Sequence, residues 1–347
     1  MNVVTTFLSQ VHVSGRLSRI VVDECHLSVT WSNFRASMNM LRGLKIYPVP
    51  LVLLSATVPP RMEQQLRIHF GSQFLTIRKS TVRPELQYQV QAVRRQGDMD
   101  AMILATLRRH DEQLRSGRAI VFCLQRQETE DLSSMINHQC GSSLAGYYHG
   151  GMDPNERTRT QDEWMSGSIK VMVATKAFGM GIDFPGIRVV IHRGMSSSLL
   201  DYAQETGRGG RDGQTAWCIT VLNDSYCEQY ISSDEEDERE KREMYEMLKS
   251  AKCYRMQLGR HVDGKGYSCG FYPRSLPCSR CSGQISCEIV DDGDASDDFL
   301  MEEFAWPELE LDNTEQEYFQ QQGRRAAAPM EDYEYHYEIE DTDAEIM

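Results

Sequence analysis

Six short apolar runs, each closing on a polar or glycine-rich turn, constrain this chain more than any other feature. They occupy residues 19–22, 51–54, 119–123, 169–174, 188–192 and 217–222. Runs of this length, rich in Val, Ile and Leu, suit strands buried on both faces. Longer stretches with helical spacing lie between them, including residues 128–138 and 155–164. Alternating buried strands and helices predict an α/β fold with parallel sheets. In such sheets ligands collect beyond the carboxyl ends of the strands. Asp23 and Glu24 follow the first run, Ser55-Ala-Thr57 the second and Thr175 the fourth. Their shared placement nominates them for chemistry.

Composition sets the outer limits. A length of 347 residues permits two or three domains, and 25% charged with 40% hydrophobic residues is ordinary for a soluble protein. The net charge of −14 is unevenly spread: from Glu288 onward 21 Asp and Glu face 2 Arg, leaving residues 1–287 at +5. A basic body with an acidic tail fits a nucleic-acid binder. The tail, with Gly and Ala among its acids, is expected to be disordered. Its aromatics Trp306, Tyr333, Tyr335 and Tyr337 offer a protein partner a foothold, though a solvated, self-repelling segment is the plainer reading. No apolar run approaches the roughly 20 residues that span a bilayer, and the N-terminus lacks the basic start and apolar core of a secretory signal. An intracellular protein without membrane contact is expected.

Half of the ten cysteines crowd into residues 253–287. Cys253, Cys269, Cys278 and Cys281 have the spacing C-x15-C-x8-C-x2-C. Zinc takes four thiolates tetrahedrally, and a C-x2-C pair supplies two from one turn. A structural Zn²⁺ site is expected, with Cys287 as a competing ligand or a free thiol.

Hydrolysing a nucleoside triphosphate needs a metal ligand, a group that orients water, and cations that stabilise the transferred phosphoryl. Ile20-Val-Val-Asp-Glu24 ends a strand in paired carboxylates, followed by Cys25 and His26; an acidic helix start is the alternative for this turn. Ser55-Ala-Thr57 could likewise open a helix before Pro59-Pro60. Gln204-Glu-Thr-Gly-Arg-Gly-Gly-Arg-Asp-Gly213 sets two arginines three residues apart on a glycine-rich turn, where guanidiniums can fork onto phosphate oxygens. It follows Ala174-Thr-Lys-Ala-Phe-Gly-Met-Gly-Ile-Asp183.

Taken together and in this order, these segments resemble the RecQ family of DNA helicases, from superfamily 2. DEAD-box RNA helicases usually read His-Arg-Ile-Gly-Arg where this chain has Gln204-Glu-Thr-Gly-Arg208. The resemblance implies the C-terminal part of a first RecA-like lobe over 1–80 and a complete second lobe over 81–230. A helical zinc-binding module over 231–287 and the acidic tail over 288–347 would follow. Residues 80–85 would link the lobes.

The resemblance also implies roles. Asp23 would hold Mg²⁺ through water, Glu24 would activate the attacking water, and His26 would couple that site to the neighbouring lobe, as would Ser55 and Thr57. Arg211 would be the arginine finger on the ATP γ-phosphate, Arg208 a second phosphate contact, and Gln204 their positioner. Gly181 and Asp183 would approach the nucleotide or these arginines. Trp31, Phe34 and Arg35 would sense single-stranded DNA by stacking, and Thr175 would track the DNA backbone. Residues 119–123 and Tyr148-His-Gly-Gly-Met152 resemble the fourth motif and the loop after it, in which His149 reads as a surface-loop histidine.

A phosphate loop of the Gly-x-x-x-x-Gly-Lys-Ser/Thr type is expected upstream of the acidic box, yet the 347 residues contain none. Two expectations follow. One is an ATP-dependent 3′–5′ DNA helicase of nuclear DNA recombination and repair, present as a truncated chain and inactive alone. The other is a non-catalytic paralogue that binds single-stranded or partly duplex DNA, or a partner, through its second lobe and zinc module.

Overall fold

The computed structural model describes residues 2–30, 40–71, 73–140, 143–179, 182–232 and 238–282. The described residues fall into two units, one holding Asn2–Ser18 and the other beginning at Arg19. In the first, helix α1 (Asn2–Val13) ends at Gly15, whose φ of 70° is the left-handed conformation that glycine adopts without a Cβ clash.

Everything with candidate chemistry belongs to the second unit. Strands β1 (Ile20–Val22) and β2 (Leu51–Leu53) pair in parallel. The four-residue helix α2 (Leu27–Thr30) follows the acidic box, and α3 (Pro60–Phe70) opens on a proline and closes on left-handed Gly71. Cys25, Met62, Leu66 and Phe70 form the small core here, joined by Leu200 from the larger half.

The larger sheet has six parallel strands: β3 (Leu86–Ala92), β4 (Arg118–Phe122), β5 (Ala145–Tyr148), β6 (Val171–Ala174), β7 (Ile187–Arg193) and β8 (Ala216–Leu222). Their spatial order is β3-β8-β7-β4-β6-β5. Every residue of β4 and β6 is buried, as expected of strands covered on both faces. Because side chains alternate along a strand, Ala119, Val121, Val171 and Val173 serve one core. Ile120, Phe122, Met172 and Ala174 serve the other.

Helices α4 (Asp98–Arg109), α5 (Asp111–Ser116), α6 (Arg126–Cys140), α7 (Pro154–Ser166) and α8 (Leu199–Thr206) connect the strands. Their starts carry local instructions. Asp153 and Ser198 accept hydrogen bonds from the backbone N–H groups of Asn155 and Asp201, satisfying donors a helix leaves orphaned. After β8 come α9 (Asp224–Ile231), α10 (Glu238–Lys249) and α11 (Tyr254–Asp263). Among the described residues no helix is long and apolar enough to cross a membrane.

The predicted strands all form, with ends displaced by one or two residues. Two more were not anticipated. β3 escaped because its Leu-Gln-Tyr-Gln-Val-Gln-Ala sequence alternates instead of running apolar, and alternation suits an edge strand with one ladder partner. Its open side is met by the cysteine-bearing segment: Ser279 N–H donates to the Tyr88 carbonyl, and Val90 N–H to Ser279 Oγ. That contact covers an edge that would otherwise invite pairing. β5, Ala-Gly-Tyr-Tyr, is too short and mixed to announce itself.

Candidate active site and metal centre

Helix α8 brings the halves of the site together. Leu200 packs into the small core beside Cys25 and Leu66. One turn later, on the same face, Gln204 reaches across the gap. Its amide nitrogen donates to Thr57 Oγ1 at 2.8 Å and lies 3.0 Å from His26 Nε2. An amide NH₂ can only donate, so Nε2 accepts and the ring proton sits on Nδ1. That proton faces Ser55 Oγ at 2.9 Å, with Glu24 Oε2 at 3.3 Å. Ser55 Oγ in turn donates to the Thr57 carbonyl. His26 is thus a neutral relay tying the acidic box, the Ser55-Ala-Thr57 segment and Gln204 into one network. Burial lowers its proton affinity below the ordinary histidine value. The hydroxyls of Ser55 and Thr57 serve this network, not a helix start, and α3 begins at Pro60 without a side-chain cap.

The cleft beside this network has a volume of about 350 Å³ and is lined by Glu24, Thr57, Gln204, Arg208 and Arg211 among others. Glu24 adopts φ 48°, a left-handed conformation that costs a non-glycine residue about 1–3 kcal/mol and clusters at functional sites. Burial raises the pKa of its carboxyl, Asp23 adds to the rise, and Arg208 opposes it. Asp23 is exposed, and its Oδ1 accepts from the Glu24 N–H at 2.8 Å. Burial and then Arg211 disfavour charge on Arg208, while Glu205 and Glu24 favour it. Among the described residues the buried Arg208 Nε has no hydrogen-bond partner. Arg211 is held by Asp183, with Nη1 to Oδ1 at 2.6 Å, and by the Ile182 carbonyl. An anion entering here meets the Arg208 and Arg211 guanidiniums, with the Glu24 carboxylate also in the wall.

Two arginines without an assigned role hold this loop. Arg83 donates to the carbonyls of Gly207, Gly209 and Gly210 and pairs with Glu85. Arg255, 3% exposed, donates to the carbonyls of Arg83, Pro84 and Leu86. Nothing in the spacing around Arg83 announces its reach.

Other expected residues are placed elsewhere. Thr175, at the end of β6, lines a separate cavity of about 110 Å³ with Lys176, Ser196, Ser197 and Tyr230. Trp31, Phe34, Arg35, Gly181, Cys287 and the acidic tail lie outside the described residues. His149 is not the surface-loop histidine expected: it is 5% exposed. Gly151 N–H donates to its Nδ1, so its Nε2–H donates to Glu130 at 2.9 Å. A Cβ at Gly151 would come within 3.3 Å of the His149 ring nitrogen Nδ1 and 2.9 Å of Arg126 Nη1, so the loop lies close over the ring.

The four cysteines converge as their spacing predicts. Cys253 and Cys269 Sγ are 3.6 Å apart, Cys278 and Cys253 Sγ 3.8 Å, and all four sulfurs lie within 4.8 Å of one another. A tetrahedron with Zn–S bonds of about 2.3 Å has edges of about 3.8 Å, so the donor set fits zinc. Burial pushes the Cys281 thiol up to about 12, while hydrogen bonds from Cys253 and Cys269 pull Cys278 far below an ordinary thiol. A divalent cation would reverse the cost of ionising the whole set.

Comparison with known proteins agrees with this geometry. The helicase conserved C-terminal domain family matches residues 64–213. An ATP-dependent DNA helicase Q-like 2 of Arabidopsis thaliana is 31% identical over 298 residues, 83% of this chain and 41% of that protein. The Rattus norvegicus ATP-dependent DNA helicase Q1 is 32% identical over 74% of this chain and 42% of its own length. The Caenorhabditis elegans RecQ-like DNA helicase blm-1 is 36% identical over 61% of this chain and 21% of its own. The chain therefore spans about two-fifths, or less, of the length of these relatives. The solved structure of Saccharomyces cerevisiae Dbp5 bound to RNA and ADP BeF3 superposes with a TM-score of 0.51 at 18% identity, over 64% of this chain and 57% of that one; this shows the shared RecA-like α/β fold alone. With the motif order, the parallel sheets and these relatives in agreement, the chain belongs to the RecQ family of superfamily 2 helicases.

Proposed function

We propose that this chain carries the inter-lobe half of an ATP-dependent DNA helicase, which couples ATP hydrolysis to 3′–5′ movement along single-stranded DNA in the nucleus. The observation that carries the reading is the Gln204 bridge to His26 and Thr57, set beside a cleft shared by Glu24, Arg208 and Arg211. A residue that touches both halves can report the state of one to the other. ATP with Mg²⁺ supplies the phosphoryl group whose transfer drives such motors. Asp23 would hold the metal ion through water, and Glu24 would orient the attacking water. Arg208 and Arg211 would meet the charge developing on the γ-phosphate, with Asp183 holding Arg211 in reserve. Thr175 and its cavity would contact the DNA backbone, which positions a strand without reading its sequence. Trp31, Phe34 and Arg35 would add stacking. Cys253, Cys269, Cys278 and Cys281 would hold a structural Zn²⁺, and the acidic tail would be free to meet a protein partner.

The test follows from the sequence. With no phosphate loop in its 347 residues, the chain by itself is expected to show no DNA-stimulated ATP hydrolysis. Fused behind the phosphate-loop lobe of a curated relative, it is expected to hydrolyse ATP when single-stranded DNA is added. Arg211→Ala should cut that rate about 10³-fold or more. A folded fusion that ignores DNA, or is indifferent to Arg211, would refute the reading.

A further inference from the structure

We propose that Tyr267 and Phe271 form a stacking platform for single-stranded nucleic acid on the cysteine module, outside the cleft and independent of nucleotide turnover. Their rings are stacked, with centroids 4.1 Å apart and planes inclined by 15°. They are nevertheless 43% and 58% exposed. In a stacked pair each ring covers one face of the other, so the remaining exposure comes from the outer faces and edges. Tyr272, partly buried, stands nearly perpendicular to both, at 6.3 and 5.2 Å. It buttresses the pair from the protein side.

The platform is built on rigid backbone. Cys269, one of the four clustered thiols, lies between the two aromatics in the 3₁₀ turn Cys269–Phe271. On the other side, a Cβ at Gly266 would fall 1.9 Å from the Met256 carbonyl oxygen, so this backbone lies flat against α11. Two large rings are therefore held out in water by a fixed frame, where a flexible loop would have folded them in.

The surrounding charge selects the ligand. Lys265 and Arg274 flank the rings in sequence and are exposed. Among the described residues neither side chain has a hydrogen-bond or ion-pair partner. Arg274 is held at φ 64°, left-handed backbone that disfavours a side chain bearing a Cβ. Ser268, Gly270 and Ser275 alternate with the aromatics along the segment, and exposed Pro273 stands between Tyr272 and Arg274. Exposed, stacked rings with two cations close by in sequence match a chain of bases and phosphates. The bases must be unpaired, because a duplex hides the faces that the rings would cover. Stacking of this kind tolerates any base.

The test is fluorescence anisotropy of labelled oligothymidylate with the 347-residue chain across a salt series. Tyr267→Ala and Phe271→Ala are each expected to weaken binding about 5- to 150-fold, with melting and zinc content unchanged. Phe271→Trp should retain affinity, while Phe271→Leu, which keeps apolar bulk but no π face, should lose it. Lys265→Ala and Arg274→Ala should each flatten the salt slope by about 0.7. Oligouridylate should behave alike, since stacking does not consult the sugar. Binding unchanged in the aromatic variants, or retained in Phe271→Leu, would overturn the platform, assign the pair to a protein contact and leave the proposed helicase reading standing. No binding of either strand by the unaltered chain would overturn the platform and the DNA-binding part of that reading together.

Discussion

Arg255 and Arg83 act in series. The Arg255 guanidinium donates to the Arg83 carbonyl, and the Arg83 guanidinium donates to the carbonyls of Gly207, Gly209 and Gly210. The thiol cluster sits at one end of this chain of contacts, since Cys253 lies two residues before Arg255. The arginine pair of the cleft sits at the other. These hydrogen bonds tie the backbone at Arg83 to both α11 and the turn that carries Arg208 and Arg211.

Truncating either link should be costly, and unequally so. Arg255→Ala leaves buried carbonyls without donors and is expected to destabilise the protein by about 3 kcal/mol. Arg83→Ala, at a half-buried site that water can enter, should cost about 1–2 kcal/mol. Urea unfolding followed by circular dichroism measures both. Equal, negligible losses would show that the series carries no load.

Acid should weaken the Gln204 bridge. His26 binds its proton less tightly in the fold than the ordinary value of 6.5, because burial penalises the charged ring. The unfolded chain therefore takes up more protons as pH falls below about 6.5. Stability from this group is complete above that value and is lost as pH drops toward the folded pKa. Protonated Nε2 would also turn a donor toward the Gln204 NH₂. Gln204→Glu offers an acceptor instead and should shrink the fall in melting temperature between pH 7.5 and 5.5. An unchanged fall in that variant would remove His26 from the explanation.

Metal should be required for the module's structure. One zinc per chain is expected by elemental analysis, lost on chelation together with a cooperative drop in thermal stability. Cys278→Ser should abolish it, while substitution of exposed Cys140 should leave it intact. Substantially less than one zinc in the unaltered chain would contradict the four-cysteine assignment.

Releasing Arg211 should strengthen its hold on phosphate. Asp183 is mostly exposed and engages Arg211 through one short ion pair, the kind of contact worth at most about 1 kcal/mol. Asp183→Asn is expected to raise affinity for a triphosphate by up to about fivefold, measured by calorimetry. A loss of affinity would instead make Asp183 a ligand contact.

Legibility in the sequence followed the range of the physics. The acidic box, the Ser55-Ala-Thr57 segment and the glycine-arginine turn were readable because each combines a buried strand or helix with a turn chemistry that has few other uses. The cysteine quartet was readable because its thiol spacing predicts that the four sulfurs converge, as they do. Arg83 was not, because its meaning lies in carbonyls 124 to 127 residues away, and no local pattern records such a contact. His149 was misjudged because its neighbouring glycines suggest an open loop, yet the Gly151 N–H and Glu130 hold the ring in place. β3 was missed because a half-covered edge strand alternates where a central strand does not.

The most direct test of the account is triphosphate binding by the chain itself, measured by calorimetry with Mg²⁺ for the unaltered protein, Arg208→Ala and Arg211→Ala. The account predicts weak binding, on the order of millimolar without a phosphate loop, falling about tenfold or more in each variant as a charge-assisted contact is lost. Binding of equal strength in all three proteins, or none in the unaltered chain, would contradict a cleft in which these arginines face phosphate.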